Sequence, residues 1–259
     1  MLFNLFRRNK KSENPYAHLP VPEKPDWSVL GADMHSHFLP GIDDGAKDAA
    51  DTVALLKGME RMGFTHIITT PHTMIDHHPN TTHTIRAAHD VALSLIKEHG
   101  IKLDLRAASE YYIDDHFTKL LATEPLLTIQ KNEVLVEFSM MFEPPILAQT
   151  LFNMQASGYK PIIAHPERYL FFHKNYDKYQ ELKDRGCFLQ LNLLAITGYY
   201  GQHIKAIADR LLDEGMYDYC GSDAHNERHV AALAGLACSP DYHRIANYPF
   251  RNKTLTGGK

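Results

Sequence analysis

Short apolar runs alternate along this chain with stretches whose apolar residues return every three or four positions. The runs lie at Ser28–Met34, Thr65–Thr69, Leu103–Ala108, Glu133–Val136, Pro161–Ala164, Cys187–Leu191 and Asp218–Cys220. Each is short enough, and most are rich enough in Ile, Val and Leu, to read as a buried strand. Between the first two, Lys47–Gly63 has a helical period, with Ala49, Val53, Leu56 and Met59 near one face, Gly45 before it and Gly63 closing it. Further helices are predicted at Thr82–His99, Asp114–Ala122, Pro145–Ser157, Asn175–Arg185, Gln202–Glu214 and Arg228–Leu236, several ending at a glycine.

A repeated strand-helix order implies parallel strands joined by right-handed crossovers, which bring all strand C-terminal ends to one rim. Polar clusters follow those ends: His35-Ser36-His37, Thr70-Pro71-His72, Ala108-Ser109-Glu110, Val136-Glu137-Phe138, Ala164-His165-Pro166-Glu167-Arg168 and Gly221-Ser222-Asp223-Ala224-His225. Residues i and i+2 of an extended segment point the same way, so His35 and His37 can reach one ion. Alone, a His-x-His pair beside a Pro-Gly turn reads equally well as surface polarity. Recurrence at successive strand ends favours ligation, and mixed histidine and carboxylate donors suit zinc, manganese or iron. An open doubly wound sheet would also gather its strand ends, but donors on both the first and last strands favour a closed barrel.

Composition narrows the choice. The chain has 259 residues and 44% hydrophobic content, enough for one α/β barrel domain over residues 28–250, with an extended, proline-containing lead at 1–27 and a tail at 251–259. The net charge of −4 provides no global basic field for capturing nucleic acid. Three cysteines, widely spaced and odd in number, indicate neither a disulfide framework nor a cysteine-rich zinc site, and fit a reducing cytoplasm. No stretch approaches the roughly 20 apolar residues of a membrane-spanning helix. Residues 1–11, apolar and then basic, suit either contact with an anionic membrane surface or a solvated terminus.

Taken in order, DMHSHFLPGIDDGAKD, ITTPH, SEYY, VEF, AHPERY and GSDAH resemble the PHP (polymerase and histidinol phosphatase) superfamily of metal-dependent phosphoesterases, most closely its bacterial tyrosine-phosphatase branch of the YwqE/CpsB type. The resemblance covers about residues 32–236. It implies a distorted (β/α)7 TIM-like barrel holding two or three divalent ions (Mn, Fe or Zn). The ligands it implies are His35, His37, His72, Glu110, Glu137, His165, Asp223 and His225, with His72 and His225 serving a third ion and Glu110 or Glu137 bridging. It also implies that Arg168 grips phosphate, as a guanidinium can do through two oxygens at once.

Asp43, Asp44 and Lys47 follow the first strand, where they orient ligands, meet substrate or simply solvate and cap the loop. Asp44 and His225 join Arg168 as candidate catalytic groups, and Lys47 joins it in substrate binding. Tyr111, Tyr112, Tyr199 and Tyr200 are candidates to stack on a substrate ring, and His77 and His78 to line the mouth. The implied reaction is hydrolysis of phosphotyrosine by metal-activated hydroxide. The implied partner is a phosphotyrosine protein, namely a bacterial tyrosine kinase regulating capsule or exopolysaccharide synthesis.

Two other readings stay open: a phosphoesterase for histidinol phosphate or nucleotides, and a non-catalytic binding barrel. One rival site is less compatible with its chemistry. Cys238 and Arg244 have the Cys-x5-Arg spacing of thiol phosphatases, but the intervening loop has no glycine and carries Pro240, which lacks an N–H for a phosphate cradle. A helix end and turn is predicted there instead.

Overall fold

The computed structural model describes residues 15 and 18–257. The segment 1–11, read above as either a membrane contact or a solvated terminus, lies outside the described residues. The strands are β1 (Ala32–Asp33), β2 (His66–Thr69), β3 (His72–Thr73), β4 (Asp104–Ala107), β5 (Glu110–Tyr112), β6 (Glu133–Glu137), β7 (Lys160–Ala164), β8 (Phe188–Asn192) and β9 (Tyr219–Gly221). All ladders between them are parallel, in the orders β1-β2-β4 and β3-β5-β6-β7-β8-β9. The prediction missed β3 and β5. They resume the directions of β2 and β4 after breaks at Thr70–Pro71 and Ala108–Ser109, where Pro71 cannot donate to a ladder.

The helices are α1 (Ala49–Arg61), α2 (Thr82–Glu98), α3 (Asp115–Thr123), α4 (Leu147–Ala156), α5 (Asp177–Asp184), α6 (Leu193–Ile196), α7 (Gln202–Asp213), α8 (Glu227–Ala237) and α9 (Tyr242–Ala246). Several of their starts are chemically marked. Asp48 caps α1 by accepting from Ala50 N and Asp51 N, Thr81 and Thr84 form a reciprocal box on α2, and Asn226 caps α8. Helix α6 was hidden because it continues the apolar run of β8 without a turn signal.

Successive buried residues of the strands alternate between two clusters. Ile67, Val134, Val136 and Ile163 belong to the larger core shared with the helices, whereas Ile68, Leu135, Ile162 and Ala164 join Ala32, Met34, Ala108, Phe188, Tyr219 and Leu255 in a second cluster. A sheet buried on both faces in this way curls around its inner cluster. The first and last strands approach each other at their C-terminal ends. There Asp223 N donates to His35 O at 2.8 Å, His37 N donates to Ala224 O at 3.0 Å, and Ser36 and Ala224 form a parallel bridge.

The segments flanking the curled sheet on both sides contribute to its packing. Trp27, at the end of the lead, is fully buried, and its indole N–H donates to Leu233 O at 3.1 Å. Beyond the last helix, Arg251–Thr256 form a 3₁₀ helix that supplies Leu255 to the inner cluster and Asn252 to the seam between β1 and β9. Among the described residues, no helix is long and apolar enough to cross a membrane.

Candidate functional site

The backbone seam at Ser36 and Ala224 sets the two histidines of the first strand against the Asp-Ala-His of the last. Side chains reinforce it: Ser222 N and Oγ donate to Asp33 Oδ1 and Oδ2 at 2.8 and 2.7 Å. Two glycines make the approach possible. A Cβ on Gly45 would lie 2.0 Å from His37 O, and one on Gly221 would lie 2.6 Å from His35 Cβ. In the sequence Gly45 reads only as the residue before a helix and Gly221 only as part of a polar cluster, since close approach of distant segments leaves no local signal.

Each buried histidine of the pair is oriented by an acceptor on its far nitrogen. His35 Nδ1 donates to Gln190 Oε1 at 2.9 Å, and His37 Nδ1 donates to Asp43 Oδ2 at 2.8 Å. His225 Nδ1 donates to Asp223 O at 2.8 Å. In every case Nε2 remains to face the cluster, the arrangement by which outer partners fix the ligating nitrogen of an imidazole. Asp43 thus has the orienting role, whereas Gln190 was missed; its signal was a polar residue inside the otherwise apolar Cys187–Leu191 run.

Three compact donor groups result, with all donor atoms of each within 4.8 Å of one another. They are His35, His37, Glu110 and Asp223; His72, Glu110 and Glu137; and His37, Asp44, His72 and His225. Glu110, His37 and His72 each belong to two groups. Asp44, assigned above to catalysis, stands inside the third group, 3.5 Å from His72 Nε2 and 3.4 Å from His225 Nε2. His165 falls outside the three groups, but its Nε2 lies 3.0 Å from Glu110 Oε1.

These residues fit divalent ions. His72 Nδ1 approaches Glu110 Oε2 and Glu137 Oε1 at 3.2 and 3.1 Å without hydrogen-bond geometry, and His165 Nδ1 is buried with no hydrogen-bond partner among the described residues. Burial alone would lower the pKa of His35, but Glu110 and Asp223 hold it at about 9; Asp43 and Asp223 likewise push His37 up against its burial. Burial opposes ionisation of Glu110 and Asp223, yet His35 and the other neighbouring imidazoles hold both carboxyls well below their ordinary values. A set of buried donors that would otherwise trap protons is chemically suited to exchange them for cations. Two of its members also have left-handed backbones, His165 at φ 34° and Asp223 at φ 50°, conformations that cost energy outside glycine and cluster at functional sites.

Arg168 lies beside this cluster. Its Nη1 donates to Asp223 Oδ2 at 2.9 Å, its guanidinium covers the Tyr200 ring at 4.5 Å, and its side chain is 25% exposed. Two clefts open at the rim. One, of about 460 Å³, is lined by Asp44, Lys47, His225 and Arg228 among others, and Lys47 is exposed there. The other, of about 320 Å³, is lined by Asp44, His72, His77, His78, Tyr112 and Glu137 among others.

The four tyrosines separate. Tyr112 faces the second cleft, Tyr199 is exposed against His229, and Tyr200 supports Arg168, but Tyr111 is buried and its hydroxyl accepts from Leu127 N at 2.9 Å. Packing therefore claims Tyr111. The Cys-x5-Arg rival also separates from the rim: Cys238 caps α8, and Arg244 is buried among Asp209, Asp213 and Asp241.

Residues 31–234 match the family described as capsular polysaccharide synthesis, CpsB/CapC. The tyrosine-protein phosphatase YwqE of Bacillus subtilis is 31% identical over 195 residues, covering 75% of this chain and 77% of that protein. The tyrosine-protein phosphatase CpsB of Streptococcus pneumoniae is 29% identical over 200 residues, covering 75% and 82%. A solved structure from the work on YwqE and CpsB, described as unique metal-dependent tyrosine phosphatases, superposes with a TM-score of 0.75 at 28% identity, over 87% of this chain and 94% of that one. An amidohydrolase from Mycoplasma synoviae shares the fold alone, with a TM-score of 0.55 at 14% identity over 88% of each chain. From Gly31 to Ala234, and hence across every donor described above, this chain belongs to the CpsB/CapC family.

Proposed function

We propose that this chain is a metal-dependent protein tyrosine phosphatase built on a distorted (β/α)7 barrel. The observation carrying the reading is the overlap of three donor groups at one rim, directly beside an arginine. His35, His37, Glu110, Asp223, His72, Glu137, Asp44 and His225 would hold two or three ions, with His165 completing the set through its contact with Glu110. Bound divalent ions would supply a nucleophile from water near neutral pH and offset charge on the transferring phosphoryl group.

The chain's own groups perform the rest. Arg168 grips the phosphoryl oxygens, because a guanidinium fork matches two oxygens and strengthens its hold as charge develops. Tyr200 supports that guanidinium from below. Asp44, at the mouth of both clefts, would join His72 and His225 in holding an ion, while exposed Lys47 adds positive charge where the substrate segment approaches. Proton donation to the leaving phenolate is secondary, since a phenol has a pKa of about 10.

The family's link to capsular polysaccharide synthesis supports a phosphotyrosine protein in that process as the target, with a cognate bacterial tyrosine kinase as the specific partner. The three cysteines are unpaired, which suits a cytoplasmic setting. The test is hydrolysis of phosphotyrosine peptides, histidinol phosphate and nucleotides after chelation and re-addition of Mn²⁺, Fe²⁺ or Zn²⁺. Ion-dependent turnover of the peptides is expected. Ion-independent turnover would defeat the mechanism, and a preference for histidinol phosphate would defeat the substrate.

A further inference from the structure

Asp223 divides its carboxylate between two tasks. Its Oδ1 faces the histidine pair, 3.3 Å from His35 Nε2 and 3.4 Å from His37 Nε2. Its Oδ2 faces away, toward Arg168 Nη1 at 2.9 Å and Asn192 Nδ2 at 2.8 Å. A carboxylate is planar, so whatever fixes Oδ2 also aims Oδ1.

Asn192, at the C-terminal end of β8, is fixed on every side. Its N–H donates to Glu167 Oε1 at 2.8 Å, and its Oδ1 accepts from Leu194 N at 2.9 Å, capping α6. With Oδ1 committed to a donor, the orientation of the amide is determined, and Nδ2 must point to Asp223 and to the Tyr200 hydroxyl at 3.2 Å. Glu167 is anchored in turn by the Tyr217 hydroxyl at 3.0 Å. The amide is buried, and a residue needed only to cap α6 would require no donor.

We propose that Asn192 is a positioning residue that holds Asp223 independently of Arg168, so that Arg168 can turn from the carboxylate to a phosphoryl group without releasing the carboxylate's aim at the ion. The proposal rests on the phosphatase reading of the rim. Without Asn192, Oδ2 has Arg168 as its remaining charged partner. The guanidinium would then serve the ion ligand or the phosphate, but not both.

Asn192→Ser separates the two roles of the amide, because serine is a good helix cap but is too short to reach Asp223. Mn²⁺ binding by calorimetry, inhibition by inorganic phosphate, and the melting temperature of the chelated protein should be measured for the parent and this variant. The proposal expects an almost unchanged melting temperature, Mn²⁺ affinity lowered about tenfold, as when other outer partners of ligands are removed, and an inhibition constant for phosphate raised about as much.

Unchanged Mn²⁺ affinity and phosphate inhibition in a folded Asn192→Ser protein would overturn it. If that variant does not fold, Asn192→Asp, which keeps the shape and the cap acceptor, should weaken phosphate inhibition by holding Arg168 between two carboxylates. Unchanged phosphate inhibition, or failure of this second variant to fold, would assign Asn192 to the fold alone. A parent that binds none of Mn²⁺, Fe²⁺ and Zn²⁺ would instead defeat the phosphatase reading.

Discussion

The two ends of the sheet solve the problem of buried polarity in opposite ways. At the N-terminal end, Asn252 is almost fully buried and completely engaged: it accepts from Cys220 N at 3.0 Å and donates to Ala32 O and Cys220 O at 2.9 and 2.7 Å. Nearby, the Tyr219 hydroxyl donates to Glu133 Oε2 at 2.6 Å while Arg251 reaches both. At the C-terminal rim, carboxylates and imidazoles of similar burial crowd one another, two nitrogens lack hydrogen-bond partners among the described residues and two backbones sit in left-handed conformations. Polar groups that complete one another stitch strands together. Polar groups that do not are arranged for something else, and here the missing member has positive charge.

The largest effect that could sharpen this contrast is loss of ions from the rim. Chelation should abolish phosphotyrosine hydrolysis and lower stability by about 3 to 4 kcal/mol, as expected when a ligand present at a hundred to a thousand times its dissociation constant is withdrawn. Glu110→Gln, touching two donor groups at once, should reproduce the loss of activity with reduced ion content by elemental analysis. Full turnover with no bound ion would break the comparison outright.

Next in size is Arg168→Ala. The guanidinium lies at the rim but is not a donor, so ion content should stay close to the parent's while kcat/KM falls about 10² to 10³-fold, the effect of removing one preorganised charge from a transition state. Unchanged kinetics would take Arg168 out of the site. His165→Ala provides the contrasting outcome, because ion content and activity should fall together.

Much of this rim was legible in the sequence because its chemistry is carried by short motifs at strand ends. His35-Ser36-His37 and Asp223-Ala224-His225 declare their side by the two-residue period, and parallel topology then joins residues far apart in the chain. The supporting residues were harder to find. Gln190 and Asn192 appear as mere polar interruptions of an apolar strand, and their importance comes from neighbours brought together only by folding. Gly45 and Gly221 matter through the space they leave for other segments. Asn252 was the least visible: it lies beyond the last apolar run, and an asparagine in a polar tail carries no sign that it will be buried between two strands.

The N-terminal end provides the complementary test. Asn252→Ala would remove four hydrogen bonds, three of them with buried main-chain groups of Ala32 and Cys220, at a cost of about 2 to 4 kcal/mol. Denaturant unfolding should show that loss, while activity per folded molecule and ion content remain those of the parent. A selective loss of ion binding at full stability would mean that the two ends are not separable as described.

The smallest effect is expected at a residue that resembles a catalytic one only in spacing. Cys238 is the C-cap of α8, and its would-be partner Arg244 is only 7% exposed and already committed to Asp209 at 2.7 Å, Asp213 at 3.0 Å and Asp241 at 3.1 Å. Freeing that guanidinium for phosphate would take Asp213 from its cation and leave Asp209 and Asp241 to Lys205 alone, a far greater disturbance than turning Arg168 away from Asp223. Cys238→Ser should therefore leave ion content and phosphotyrosine hydrolysis within about twofold of the parent, because a half-buried thiol replaced by a hydroxyl changes little. Abolished hydrolysis in a folded, ion-loaded Cys238→Ser protein would move the chemistry from the histidine rim to a thiolate, and the contrast between the two ends of the sheet would then concern stability alone.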